Sequence, residues 1–312
     1  MIRDSIKIIF MGTSDFSAFV LEGLIKNNYQ IIGVVSQPDK VVGRKKELVK
    51  TETKKVAEKY GIEVFQPVSI KKDYSFIKDK KPDLIITCAY GQIVPRGVLE
   101  IPKYKCINVH GSLLPKLRGA SPIQQAIMDD EKETGITIME MVEKMDAGDM
   151  ISSAKLKIDN EDTSKSLFLK MQVLGLDLLL DTLPKYLKGE ITPIKQDEGK
   201  VTFAPLIKRE DEKLDLNDTR RNIYNKIRAL NEEPGAYALL DDEIIKIYEA
   251  VEIDKEYKGE NGEIVDTTKD LIIVKVSDGA LGLRKIKPAS KRIMLVRDYL
   301  NGKNNLVGKV FK

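Results

Sequence analysis

Between Ile6 and Leu24 the chain reads IKIIFMGTSDFSAFVLEGL. Ile6–Phe10 is a short apolar run, stopped by Gly12 and a polar turn. Ser14 or Asp15 can then cap a helix that presents Phe16, Phe19, Val20 and Leu24 on one face. The first run shows no strict polar alternation, as expected of a strand covered on both faces.

Working outward, the same unit recurs. Ile31–Val35 is the next apolar run, Val64–Phe65 precedes the Pro67 turn, Leu84–Ala89 follows Pro82 and Asp83, and Cys106–Val109 follows Pro102. Helical stretches such as Lys50–Tyr60 and Ser121–Met128 separate these runs. The alternation predicts an α/β fold with a doubly wound, mostly parallel sheet. A later helix, Ser164 to about Leu187, carries Leu167, Met171, Leu174, Leu178 and Leu179 at core-packing spacing. After Gly189 the texture changes. Residues 1–189 are expected to form a first domain, 190–208 a polar linker with Pro193 and Pro205, and 209–312 a second domain. There, a helix over Thr219–Leu230 precedes alternating runs at Ala236–Leu240, Ile244–Ala250, Asn261–Val265, Leu271–Val276 and Leu281–Lys287. Short turns between them predict a small β-barrel.

Composition agrees. A chain of 312 residues is long enough for two cores. With 42% hydrophobic and 32% charged residues it reads as an ordinary folded protein rather than a disordered one. The net charge of +4 does not by itself imply nucleic acid. No apolar run reaches the roughly 18 residues of a membrane span, so no membrane role is expected. The first strand begins so early that no signal peptide is expected before it. Cys88 and Cys106 lack a CxxC spacing and sit in apolar runs, which predicts buried reduced thiols and a cytoplasmic setting.

The turn MGTSDFS has one glycine where a dinucleotide fingerprint needs GxGxxG, and it lacks the GK[ST] of a phosphate loop. A turn lining a substrate crevice at the sheet's carboxyl edge fits it better. The second constellation is Asn108, His110 and Asp146, and His110 is the sole histidine. Asn108 and His110 project from one face of a strand end because the strand period is two. Asn can donate to a developing oxyanion, His can accept a proton near neutral pH, and Asp can hold the imidazole. Without a Ser or Cys nucleophile, such a set suits direct acyl transfer to an amine. A hydrogen-bonded strand end plus a capping aspartate accounts for the same spacing. One histidine and two separated cysteines leave no metal site expected.

Asn108-Val109-His110 with Ser112-Leu113-Leu114-Pro115 and Arg118-Gly119 resembles the signature of the folate-dependent formyltransferases, and the Asp146 turn resembles their second catalytic segment. MGTSDFS, SQPDK, AYGQIVP, HGSLLPKLRGASPIQQAI, GITIM, MDAGDM, TFAPLI and IRALNEEPGAY extend the likeness over nearly the whole chain. It is strongest to the bacterial branch that formylates methionyl initiator tRNA in initiation of protein synthesis. The resemblance implies a Rossmann-like catalytic domain and an OB-like barrel that binds tRNA. It implies 10-formyltetrahydrofolate as co-substrate, with no tightly bound cofactor. Folate is expected near Cys88, Ala89, Tyr90, Gly91, Gln92, Ile93 and Val94, and near Met139, Met141 and Met145. Ser112, Leu113, Leu114 and Pro115 are expected to shape the site. By the same likeness Asn108 polarises the formyl carbonyl, His110 relays the amine proton, Asp146 supports His110, and Phe16 lines a methionine pocket. The chain is expected to act as a monomer.

Two basic segments are candidates for the tRNA. Lys40–Lys59 holds eight basic and three acidic residues. Its Gly-Arg-Lys-Lys part places Arg44, Lys45 and Lys46 on an extended loop suited to phosphates. This loop lacks the second glycine and the Pro-rich continuation common in the family, so Arg44 aligns more securely than its neighbours. Arg284–Arg297 contains six basic residues and no acidic one, among them Arg284, Lys285, Lys287, Lys291 and Arg292. Lys208 and Arg209 lie near Leu206, where the family commonly has lysine, and Glu232 and Glu233 replace a more usual Pro or aromatic. The alternatives are a formyltransferase for a small amine, a hydrolase of formylfolate, and an RNA-binding protein that merely retains the fold.

Overall fold

A computed structural model of the chain describes residues 5–43, 46–301 and 305–312. Its elements are β1 (Ile8–Gly12), α1 (Asp15–Lys26), β2 (Ile31–Val35), β3 (Lys40–Val42), β4 (Glu47–Val49), α2 (Glu52–Lys59), β5 (Val64–Phe65), α3 (Ser75–Lys80) and β6 (Leu84–Cys88). Then come α4 (Arg96–Leu99), β7 (Cys106–His110), β8 (Arg118–Gly119), α5 (Pro122–Met128), β9 (Glu133–Glu140), β10 (Met150–Lys157), α6 (Ser164–Leu187) and β11 (Phe203–Ala204). The remainder is α7 (Arg220–Ala229), β12 (Ala236–Leu240), β13 (Glu243–Ile253), β14 (Ile264–Thr267), β15 (Ile272–Val276), β16 (Gly279–Pro288), β17 (Met294–Leu295) and α8 (Val296–Leu300).

Two compact units emerge. The first comprises 1–122, 133–157 and 168–205, and the second 123–132, 158–167 and 206–312. In the first, a seven-stranded sheet runs β10-β9-β7-β6-β1-β2-β5. Its five strands from β7 to β5 are parallel, while β9 pairs antiparallel with both β7 and β10. Every residue of β1 and β6 is buried, which explains why both are apolar but for Thr87. Ile9, Met11, Ile85 and Cys106 pack under Ile77 of α3 and Val98 of α4. Gly175 of α6 supplies space that a larger residue would take from Phe16 and Val109, where a Cβ would sit 3.2 and 3.4 Å away. The chain leaves β1 toward β2 and later returns to β6 on its other side. The carboxyl ends of β1 and β6 therefore flank a topological switch point, the usual ligand crevice of such sheets.

Residues 190–205 are stitched to this unit rather than strung out as the expected linker. Ile194 bridges Met150, and β11 pairs in parallel with β8 through Phe203–Arg118 and Ala204–Gly119. Backbone pairing satisfies peptide groups that a polar, proline-containing segment would otherwise leave to water.

The second unit is an antiparallel sheet in the order β12-β13-β16-β15-β14, with β17 on β16. The last residues lie between its two edges. Leu239 and Lys312 exchange backbone hydrogen bonds at 2.8 Å, and Phe311 N donates to Gly262 O at 2.8 Å. The final segment thereby closes the expected barrel and covers edges that would invite association. Its core includes Ile223, Ile227, Ile247, Val274, Leu281 and Ile286. Asp130 of this unit takes hydrogen bonds from Arg221 at 2.6 and 2.9 Å and from Asn225 at 3.1 Å. Burial pushes its carboxyl up, but these bonds and Lys132 outweigh that and leave it well below the usual carboxylate range.

Candidate active site

Three loops meet at the carboxyl edge of the first sheet. Ser14 caps α1, as its position after β1 predicts. Within the same turn Thr13 Oγ1 donates to Tyr90 O at 2.9 Å, and Ser17 Oγ to Cys88 O at 2.5 Å. The MGTSDFS turn thus braces the loop that follows β6. Gln92 Oε1 accepts from Ile70 N at 2.8 Å and fixes that loop's far side. Ala89 and Gly91 adopt left-handed conformations, and both are exposed. Ile93 is exposed, whereas Cys88, Tyr90 and Val94 are buried. The structure therefore divides the expected folate segment into an exposed backbone edge and a buried base.

Register brings the polar groups together. Thr87 of β6 stands beside Asn108 of β7, and Asn108 stands beside Met139 of β9. Thr87 Oγ1 donates to Asn108 Oδ1 at 2.8 Å and lies 3.1 Å from Met141 Sδ. Met139 is buried, Met141 half-buried and Met145 exposed. Met145 stands immediately before Asp146, so an apolar side chain is exposed on the turn that carries Asp146.

His110 is only 5% exposed. Its Nε2 lies 3.0 Å from Leu117 O, so that nitrogen carries a proton and Nδ1 holds the lone pair of the neutral ring. Nδ1 faces Asp146 Oδ2 at 3.7 Å, too far for a hydrogen bond and an ion pair only once the ring takes a proton. The same carboxylate oxygen accepts from Gly119 N at 2.8 Å. The Asp146 turn thus reaches the His110 strand end across 36 residues of sequence.

The Ser112–Pro115 segment forms the floor. Ser112 is fully buried and donates to Lys116 O at 2.6 Å. Thr137 Oγ1 donates to Ser112 O and accepts from Leu114 N. Leu114 is buried, and Leu113 and Pro115 are half-buried. Ser112 is committed to a carbonyl, and burial pushes both thiols up, Cys106 to about 12, so none of the three is poised as a nucleophile. Both cysteines are free and buried. Among the described residues no group of three or more His, Cys, Asp or Glu is placed to hold a metal, and no helix is long and apolar enough to cross a membrane.

Phe16, the residue expected to line a methionine pocket, lies inside the first unit. It is 4% exposed, and its ring meets Phe168 edge-on at 5.4 Å, so core packing takes it up. Sequence reasoning missed Thr87 and Leu117, and it named Gly119 only within the signature, with no role. Thr87 had one usable signal, a polar residue inside an otherwise apolar strand.

Of the basic candidates, Arg44 and Lys45 lie outside the described residues. Lys46 is exposed at φ +52 in the turn of the β3–β4 hairpin. Lys208 is exposed near Glu210 at 3.6 Å, and Arg209 pairs with Glu212 and lies over the Tyr237 ring. On β16, irregular pairing with β13 at Arg284 leaves that side chain exposed. Lys285 pairs with Glu249 at 3.2 Å, while Lys287, Lys291 and Arg292 are exposed.

The formyl transferase family model matches residues 6–183, and the model for the formyl transferase C-terminal domain matches 206–304. Over 306 residues the chain is 45% identical to the methionyl-tRNA formyltransferase of Bacillus cytotoxicus, covering 97% of this chain and 98% of that one. The protein of the same name from Bacillus cereus matches equally, at 45% over 306 residues. Among solved structures, HypX from Aquifex aeolicus in complex with tetrahydrofolic acid has a TM-score of 0.67 at 18% identity. That match covers 98% of this chain and 51% of HypX, so this chain spans about half of HypX. WlaRD, a sugar 3N-formyl transferase, has a TM-score of 0.66 at 20% identity, covering 92% of this chain and 99% of its own. At those identities the likeness is one of fold. The chain belongs to the formyl transferase family.

Proposed function

We propose that the protein transfers the formyl group of 10-formyltetrahydrofolate to the α-amine of methionyl initiator tRNA. The observation that carries this reading is the approach of Asp146 to His110 beside Asn108, in a chain 45% identical to methionyl-tRNA formyltransferases over nearly its full length.

The amine lone pair forms the new bond to the formyl carbon while the carbonyl pair moves onto oxygen. Asn108 has its Oδ1 engaged by Thr87, which leaves its amide N–H groups to donate to that oxygen. His110 Nδ1 receives the proton the amine sheds, and Asp146 stabilises the resulting cation. Collapse restores the carbonyl and breaks the bond to the folate nitrogen, which keeps the electron pair and takes up the proton from His110. No covalent enzyme intermediate is needed.

The exposed backbone of 88–94, with Ile93 and Met145 as apolar walls, suits a flat heterocycle that pairs along one edge. Cys88, Tyr90 and Val94 support that loop from below. The basic stretch Arg44, Lys45 and Lys46 contacts the tRNA acceptor end. Arg284, Lys287, Lys291 and Arg292 meet backbone phosphates, and Lys208, Arg209 and Lys285 contribute less because each has an acidic partner. The protein works as a cytoplasmic monomer. The test is incubation with 10-formyltetrahydrofolate and charged initiator tRNA, with formyl-methionine as the expected product. Formylation of a small amine in its place overturns the reading.

A further inference from the structure

We infer that Gln196 and Arg118 are positioning residues for Asp146 and His110, which makes residues 196–204 part of the catalytic apparatus; the inference rests on the formyl-transfer reading. Asp146 sits at φ +50, a conformation disfavoured for a residue with a Cβ. The turn is held from a distance. Gln196 Nε2 donates to Asp146 O at 2.8 Å and to Gly148 O at 2.7 Å, clamping both ends.

The orientation of that amide is itself set. Its Oε1 accepts from Arg118 Nε at 3.0 Å and Nη2 at 2.8 Å, so reversing the amide would turn its NH2 group against a guanidinium. Arg118 is fully buried, and Nη2 also reaches Glu198 Oε1 at 2.8 Å. A buried guanidinium is costly to desolvate, and an apolar residue would fill the volume more cheaply. Its neighbours complete the case. Gly119 N holds the Asp146 carboxylate, and Leu117 O receives His110 Nε2. Thr202 anchors the same strand, its Oγ1 accepting from Leu117 N and its O from Arg118 N, each at 2.9 Å. Residues 196–204 therefore govern the placement of both catalytic side chains without touching either.

The test is Gln196→Glu, which keeps the acceptor facing Arg118 and removes both donors to the turn, alongside Gln196→Leu. Turnover, both KM values, thermal melting and the ring ¹⁵N signals of His110, the sole histidine, are compared with the parent protein. The expected result for Gln196→Glu is a cooperative fold, KM values within about threefold and kcat lower on the order of a hundredfold. The His110 signals move in both variants. Parent-like kcat with unmoved His110 signals overturns the inference, as does a loss that appears only with loss of the fold. If the parent protein forms no formyl-methionine, the functional reading fails, and the His110 signals of the two variants still decide the positioning claim.

Discussion

Thr87 stands level with Asn108 on the neighbouring strand, and its hydroxyl donates to Asn108 Oδ1 at 2.8 Å. An amide fixed through its oxygen can offer only N–H groups to a substrate, so this bond assigns the donor role before any ligand arrives. Asn108→Ala is expected to lower kcat by about 10²–10³, the cost of losing one oxyanion donor. Thr87→Val is expected to cost about tenfold and to add nothing in the Asn108→Ala background. Steady-state kinetics of the four proteins decide it, and additive losses count against the coupling.

The 3.7 Å approach of Asp146 to His110 supports a charge role for the carboxylate. Asn tolerates left-handed backbone as well as Asp does, so Asp146→Asn removes charge with little change of shape. Turnover should fall by orders of magnitude in Asp146→Asn and His110→Ala, while tRNA affinity stays near that of the parent. A titration of charged tRNA beside single-turnover kinetics separates the two quantities.

Replacing Arg284, Lys287, Lys291 and Arg292 one at a time tests the cationic stripe. Each residue that meets a phosphate should lower the slope of log affinity against log salt by about one. Binding isotherms at several salt concentrations measure this. Slopes unchanged in all four variants would remove the stripe from the interface.

Gly135 of β9 lies under the catalytic floor. A Cβ there would sit 2.1 Å from Ala154 O and 2.6 Å from Leu113 Cδ2, so backbone would have to move. Gly135→Ala should destabilise by about 1–3 kcal/mol in thermal or denaturant unfolding. It should also lower activity, because Leu113 belongs to the segment that shapes the site.

Glu198 makes a prediction for acid. The hydrogen bonds from Arg118 and then Lys144 lower its carboxyl from 4.5 to about 2. A depressed folded-state value means that the stabilisation is fully present above the unfolded value and disappears as pH falls toward the folded one. The melting difference between the parent protein and Glu198→Gln should therefore be constant near neutrality and shrink between about pH 4.5 and 2. A difference that persists at the acid end would contradict the pairing.

Local pattern was enough for much of this molecule. Hydrophobic runs bounded by Gly, Pro and caps place β2, β12 and α6 at their observed limits, because strand and helix periodicity is written into neighbouring residues. The pairing of Asn108 with His110 on one strand end is legible for the same reason. Tertiary structure alone decided the rest. The Gly119–Asp146, Gln196–Asp146 and Arg118–Gln196 bonds span 27, 50 and 78 residues, and contacts at that separation leave no periodic trace. Closure of the barrel by the final residues depends on two sheet edges meeting one segment. The apolar face that carries Phe16 is legible in sequence, but its contact with Phe168 and Gly175 of α6 is not. Residues 190–205 look like a tether because proline and polar side chains suit one, yet their backbone finds partners in β8 and at Met150. Short-range chemistry specified the elements, and family resemblance pointed to Asn108, His110 and Asp146, whereas the geometry that brings these residues together comes from hydrogen bonds that only the folded chain can close.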